Sequence, residues 1–400
     1  MDLRSTRRDA TMPVTVLVAV VLLLAAAVPA SGLVVRSAGR GDGSTERAGA
    51  ATSVRLLGER VVPKGLVLDG MPVGELSGID YDPHTKRWYA ISDDSEEAPA
   101  RLYTIDMTVG PRGLSEPRFV AVTPILRTDG TTFPPLATQD PEVADPEAVR
   151  FDRKSRTFYW SSEGKREISD DGSRPALVDP WVRQMTVGGR HLRQLRQPAM
   201  FSMSADEQGP RRNAVFEGLT LSADGREVVT SLEGPLYQDG LLPTPASGGI
   251  SRFTWYDKRR GVPVRQLAYE IDPIPATPIP PGSGADNGVV EILAVDRHRL
   301  LVLERSFVTG VGNSIRLYQV DVRGATDVLG RESLADGGFH PVRKRLLVDL
   351  ATLGLGHIDN VEGMTWGPRL PGGGRTLVLV SDDNFNPLQV TQLIALAIPK

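Results

Sequence analysis

The chain has 400 residues, with 46 Lys and Arg against 49 Asp and Glu for a formal net charge of −3, 41 Gly, 31 Pro and no Cys. The lack of cysteine excludes a disulfide scaffold, a Cys-ligated zinc or iron–sulfur centre, a thiol nucleophile and a lipoprotein attachment site. The near-neutral charge gives no general footprint for nucleic acid, and 40% hydrophobic with 24% charged residues is the composition of a folded globular chain.

Arg4, Arg7 and Arg8 precede an uncharged apolar run over residues 13–28, and the small residues Ala30, Ser31 and Gly32 follow. Basic region, apolar region and small-residue cleavage site together predict export, with residues 1–31 a signal peptide or an uncleaved N-terminal membrane anchor. The run is shorter than the roughly 20 residues of a comfortable span, which favours cleavage. Residues 32–53, rich in Gly, Ser, Ala and Arg, read as a flexible linker. Only seven of the 46 basic residues are Lys. Arginine excess and leader together point to a bacterial protein that is secreted, periplasmic or extracellular.

From Val54 onward, short apolar or alternating runs are bounded by Gly, Pro and Asp, and no long segment has a helical period, so the domain over residues 54–400 reads as all-β. One pattern recurs five times, beginning at Leu76, Pro146, Phe216, Val290 and Val361. Its second residue stands at 77, 147, 217, 291 and 362, in steps of 70, 70, 74 and 71. Each copy is followed by a turn and a second strand ending in acids: Asp93 and Asp94, Glu163, Glu233, Glu304, and Asp382 and Asp383. Two more strand candidates complete each unit, except that the fifth lacks its fourth strand. Residues 54–62 supply one from the other end of the chain. Four-stranded units repeated radially and closed by an N-terminal strand describe a β-propeller of five blades, or six if residues 123–145 hide strands. Asp80 to Pro83 and Ser222 to Gly225 read as hairpin turns.

The segments Ser77-Gly78-Ile79-Asp80, Phe216-Glu217-Gly218-Leu219-Thr220, Asp359-Asn360-Val361-Glu362-Gly363-Met364 and residues 377–385 resemble the phytase-like domain family described as having esterase-like activity of phytase. The resemblance spans nearly all of residues 54–399. It implies a secreted propeller similar to calcium-dependent β-propeller phytases, hydrolysing a phosphate or carboxylic ester. The dense clusters of acidic and basic motifs of those phytases are not found here.

In a propeller the first strand of each blade lines the central channel. Glu147, Glu217, Glu291 and Glu362 are therefore expected to converge near the axis, with Ser77 in the fifth position, and the second-strand acids to gather at one face. Converging carboxylates repel and raise one another's pKa unless a cation intervenes. An all-oxygen donor set with no Cys and few His suits Ca²⁺ better than Mg²⁺ or Mn²⁺. The expected metal ligands are Glu147, Glu217, Glu291, Glu362, Asp93 and Asp382. Glu217 and Glu362 are also candidate catalytic groups, with His357 as a general acid or base. Lys165, Arg166, Arg305 and Arg212 are placed to bind a small anionic ester. Asn213, Asn287, Asp145, Asp359 and Asn360, just before the repeats, read as turn-shaping residues or added oxygen ligands.

There is no Gly-x-Ser-x-Gly elbow, and the five histidines show no zinc-site spacing. The rival to a hydrolase is a non-catalytic propeller that binds a ligand or protein around a structural calcium. Catalysis on phosphates requires the basic rim to be free to point into the mouth. A monomer is expected.

Overall fold

The computed structural model describes residues 53–96, 98–168 and 175–399. The expected signal or anchor segment and all but the last residue of the expected linker lie outside them. Among the described residues no helix is long and apolar enough to cross a membrane.

Five antiparallel four-stranded sheets follow one another along the chain. Blade 1 is built from Leu76–Asp82, Arg87–Ser92, Arg101–Asp106 and Arg118–Pro124. Blade 2 uses Pro146–Asp152, Thr157–Ser162, Trp181–Thr186 and His191–Gln194. Blade 3 uses Phe216–Leu221, Glu227–Leu232, Gly249–Asp257 and Val262–Ile271. Blade 4 uses Gly288–Ala294, Arg299–Val308, Gly312–Asp321 and Arg343–Asp349. Blade 5 takes Asn360–Arg369, Arg375–Asp382 and Gln392–Ile398, and Arg55–Val61 completes it by pairing antiparallel to Gln392–Ile398. The stretch between blades 1 and 2 holds only an isolated bridge, Leu126 to Thr132, so the blades number five.

The innermost strands lie side by side in chain order, and that of blade 5 returns to that of blade 1. This closure leaves no blade at an open end of the ring, and each sheet keeps only short, protected edges. Apolar residues from both faces of each blade fill the gaps between blades. One buried cluster joins Trp88 and Tyr103 of blade 1 to Val380 and Leu393 of blade 5, and four others bridge the remaining blade pairs. The blade 3 turn at Ser222 to Gly225 forms as expected, with Asp224 accepting from the Ser222 hydroxyl and the Arg226 amide, whereas Asp80 and Tyr81 lie within the strand Leu76–Asp82 and the blade 1 turn begins at Asp82, which accepts from the His84 amide and the Thr85 hydroxyl.

The channel itself is stitched by one buried ion pair. Arg150 of blade 2 donates to the carbonyl oxygens of Ile79 in blade 1 and Met364 in blade 5, and pairs with Glu291 of blade 4. Glu291 in turn accepts from the Leu219 amide of blade 3 at 3.0 Å. Two side chains thus connect all five blades across the axis.

Candidate functional site

At one mouth of the channel lies a cavity of about 720 Å³. Its wall carries nine carboxylates, those of Asp93, Asp145, Glu147, Glu163, Glu217, Glu233, Asp286, Glu362 and Asp382, and one guanidinium, that of Arg305. Strand register explains the convergence. In blades 1, 2, 3 and 5 the pairing of the two inner strands is irregular around Ser77, Glu147, Glu217 and Glu362, and such a bulge re-aims its side chain. In blades 1, 2 and 3 the last paired residues of the second strands, Ser92, Ser162 and Leu232, are followed by Asp93, Glu163 and Glu233, and in blade 5 the last paired residue is Asp382 itself, opposite Asn360; these four form a second ring of acids.

Blade 4 departs from this pattern by one residue. Its irregularity falls at Val290, and Val289 pairs with Glu304. Glu291 is therefore in phase with Gly78, Ala148, Gly218 and Gly363, and points into the channel rather than the mouth, because a one-residue slip turns a strand side chain to the other face. The same slip puts Arg305 where the other blades carry an acid. Glu304 is turned into a buried network with Tyr269, Asn287 and Lys344. Of the expected metal ligands, Glu147, Glu217, Glu362, Asp93 and Asp382 line the cavity, whereas Glu291 is the partner of Arg150.

The basic rim is mostly elsewhere. Lys165 is buried and donates to the carbonyls of Leu136 and Thr138. Arg166 donates to the carbonyls of Ser204, Ala205 and Asp206 and stacks over Tyr237. Arg212 is exposed and outside the cavity wall, its charge felt by Asp145. Arg305 alone reaches the cavity, where it meets Asp286 at 2.9 Å, Glu233 at 3.2 Å and Glu362 at 3.5 Å. His357, with its side chain 57% exposed, sits outside the cavity wall against Asp359, which also accepts from the backbone amides of Asn360 and Val390 and from the side-chain amide of Gln389. Asp94 pairs with Arg101, and Asp383 accepts from the Glu75 amide.

Two carboxylate triads stand out. Asp93, Glu362 and Asp382 offer oxygens within 4.8 Å of one another between blades 5 and 1, and Asp145, Glu147 and Glu163 do the same on blade 2. Asn360 donates to both Glu362 and Asp382, at 2.9 and 3.2 Å. Burial, then mutual repulsion, pushes these groups above the usual carboxylate range. Burial and Asp382 lift Glu362 to about 8, burial lifts Asp145 to about 7, and burial lifts Asp382 to about 6. Asp93, Glu147, Glu163 and Glu217 move in the same direction for the same reasons. Although burial opposes its charge, Arg305 is held more firmly protonated by Glu233, Asp286 and Glu362. The donor set fits a hard divalent cation: every donor is oxygen, and a buried Asp93 carboxylate oxygen has no hydrogen-bond partner among the described residues.

Sequence reasoning left Asp145 and Asn360 open between shaping turns and adding oxygen ligands, and missed Asp286, Asn313 and the rim turn after Asp382. That turn is held by Asp382 accepting from the Asn384 amide and Asp383 from the Phe385 amide, with Asn384 and Phe385 both at positive φ. Its neighbour is Gly74, where a Cβ would lie 2.4 Å from the Phe385 ring and 2.9 Å from Asp383. Gly74→Ala is therefore expected to destabilise the protein by about 1–3 kcal/mol through overpacking. Thermal melting checks this, and an unchanged melt would show that the turn yields freely.

Several solved structures are similar to this chain at low identity. A protein of unknown function from Dyadobacter fermentans is 11% identical with a TM-score of 0.38, covering 86% of this chain and 99% of its own. The periplasmic gluconolactonase PpgL of Pseudomonas aeruginosa is 15% identical with a TM-score of 0.34, covering 81% and 86%. The gluconolactonase XC5397 of Xanthomonas campestris is 9% identical with a TM-score of 0.33 and the same coverage. None of the curated proteins matches this chain. The family model described as "Phytase-like: Esterase-like activity of phytase" matches residues 71–385, a span that begins just before blade 1 and ends in the rim turn of blade 5, and the chain belongs to that family.

Proposed function

We propose that this chain hydrolyses an ester, of phosphoric or carboxylic acid, in the acidic mouth of the propeller with the help of calcium held by the two triads. The observation that carries this reading is the pair of triads itself, within one cavity of a phytase-like propeller and lacking cationic side chains to match them. A divalent cation there supplies the positive charge that polarises an ester oxygen. The protein's own groups do the rest. Glu217 belongs to neither triad, faces the cavity and is raised in pKa by burial and by Glu233, so it is suited to take a proton from the attacking water and return it to the leaving oxygen. Asn360 fixes the orientation of Glu362 and Asp382. His357 is not among the residues that line the cavity, so the general acid–base role is assigned to Glu217 in this reading.

One observation favours the rival reading, a binding propeller with structural calcium: Lys165 and Arg166 are tied to backbone carbonyls, and Arg305 is shared among three carboxylates. Hydrolysis of p-nitrophenyl phosphate, p-nitrophenyl acetate and phytate, with calcium and with chelator and alongside thermal melting, separates the two. Calcium-dependent cleavage reduced about 100-fold or more in Glu217→Gln and Glu362→Gln supports the hydrolase. A melting temperature raised by calcium without any cleavage supports the binding propeller. In either reading we place the protein outside the cytoplasm, as a monomer.

A further inference from the structure

Building on the hydrolase reading, we infer that the substrate is an uncharged carboxylic ester with an apolar chain that lies across Phe307 and Leu388. The first argument is charge. Nine carboxylates against one guanidinium leave eight net negative charges when all are ionised. Two divalent cations neutralise four of them. With both triads loaded, Glu217, Glu233 and Asp286 still outnumber the one arginine, which is already taken up by Glu233, Asp286 and Glu362. A polyphosphorylated substrate adds about −1.5 to −2 per phosphate and is repelled by such a wall. An uncharged ester meets no such barrier, and the carboxylate product is expelled.

The second argument is the lip. Leu388, at 87%, is the most exposed large apolar side chain among the described residues, and Phe307 is 41% exposed; both line the acidic cavity. The backbone of both is tied to the rim. The Leu388 amide donates to Asn386, and the turn is pinned by Asp382 and Asp383. The Phe307 amide donates to Asp286, the same carboxylate that holds Arg305. Apolar side chains held in water at the rim of a polar cavity are a common mark of a ligand surface. The acyl carbon would sit over the triads and the chain would run outward across the lip. In the reaction the water oxygen bonds to the acyl carbon, the bond from that carbon to the alcohol oxygen breaks, and the proton lost by water passes through Glu217 to the alcohol. The products are a carboxylic acid and an alcohol, and no other reactant is needed.

The test uses the full chain with calcium and compares p-nitrophenyl acetate, butyrate and hexanoate with p-nitrophenyl phosphate and phytate. The carboxylic esters should be preferred, with kcat/KM rising up to about fourfold per added methylene, mainly through KM. Leu388→Ser combined with Phe307→Ser should flatten that gradient while the calcium-induced melting shift is retained. Faster cleavage of phosphate or phytate, or a gradient that survives the double substitution, overturns the inference but leaves the hydrolase reading standing. Absence of cleavage of every ester overturns both.

Discussion

Replacing Arg150 with Met should cost about 3–5 kcal/mol of stability, because it strands the Glu291 carboxylate in the closed channel. Burial already pushes Glu291 up to about 7 against the pull of Arg150, which shows how costly a charge is at that position. The substitution also leaves the carbonyls of Ile79 and Met364 without their donor. The double variant Arg150→Met with Glu291→Gln removes the stranded charge while keeping acceptors for the Leu219 and Ile292 amides. It should recover part of the loss. Denaturant unfolding of the two single variants and the double variant measures the coupling. Single variants within about 1 kcal/mol of the parent would mean that water reaches the pair and that the five blades are not held together through it.

The second large effect concerns pH and calcium together. In the folded protein Asp382 sits at about 6, Asp145 and Glu233 at about 7 and Glu362 at about 8, all above their ordinary range because of burial. Between the ordinary carboxylate range and those values the folded state holds protons that the unfolded chain has released. Each such group lowers stability as pH rises, by up to about 1.4 kcal/mol per pH unit. In chelator the melting temperature should therefore be highest near pH 5 and fall towards pH 8. Surface acids held low by arginines, such as Asp321 beside Arg323, finish titrating below this window and do not offset the trend. A bound cation replaces the protons, so the melting shift produced by calcium should be larger at pH 8 than at pH 5. A chelated melt that rises with pH, or a calcium shift independent of it, would contradict the cluster's part in cation binding.

Much of the fold is legible in the sequence, since strand period, turn residues and a repeat near 70 residues all point to one architecture. The second-strand acids Asp93, Glu163, Glu233 and Asp382 could be placed at the mouth from their common phase. What the sequence did not carry was the register of blade 4. The letters Val290-Glu291-Ile292 match the repeat better with Glu291 as its acid, but a bulge is a property of the ladder, and it fell one residue earlier. The fates of Lys165 and Arg166 were hidden for a different reason. Their partners, at residues 136–138 and 204–206, lie on loops whose approach depends on how neighbouring blades meet. Long side chains take whatever acceptor the tertiary structure brings near.

The one-residue shift of blade 4 also decides how a ligand is received. Five identical blades would offer a guest five equivalent poses, each a fifth of a turn from the next, and nothing at the mouth would prefer one of them. With Val290 and Arg305 in place of two acids on blade 4, and Ser77 in place of a third on blade 1, the rotational degeneracy is gone: the mouth has a cationic side chain on blade 4 and anionic flanks on blades 1, 2, 3 and 5. A bound molecule is thus sorted end from end before any chemistry begins. A ring built by repetition acquires a direction where its rungs differ, most of all at the misaligned one.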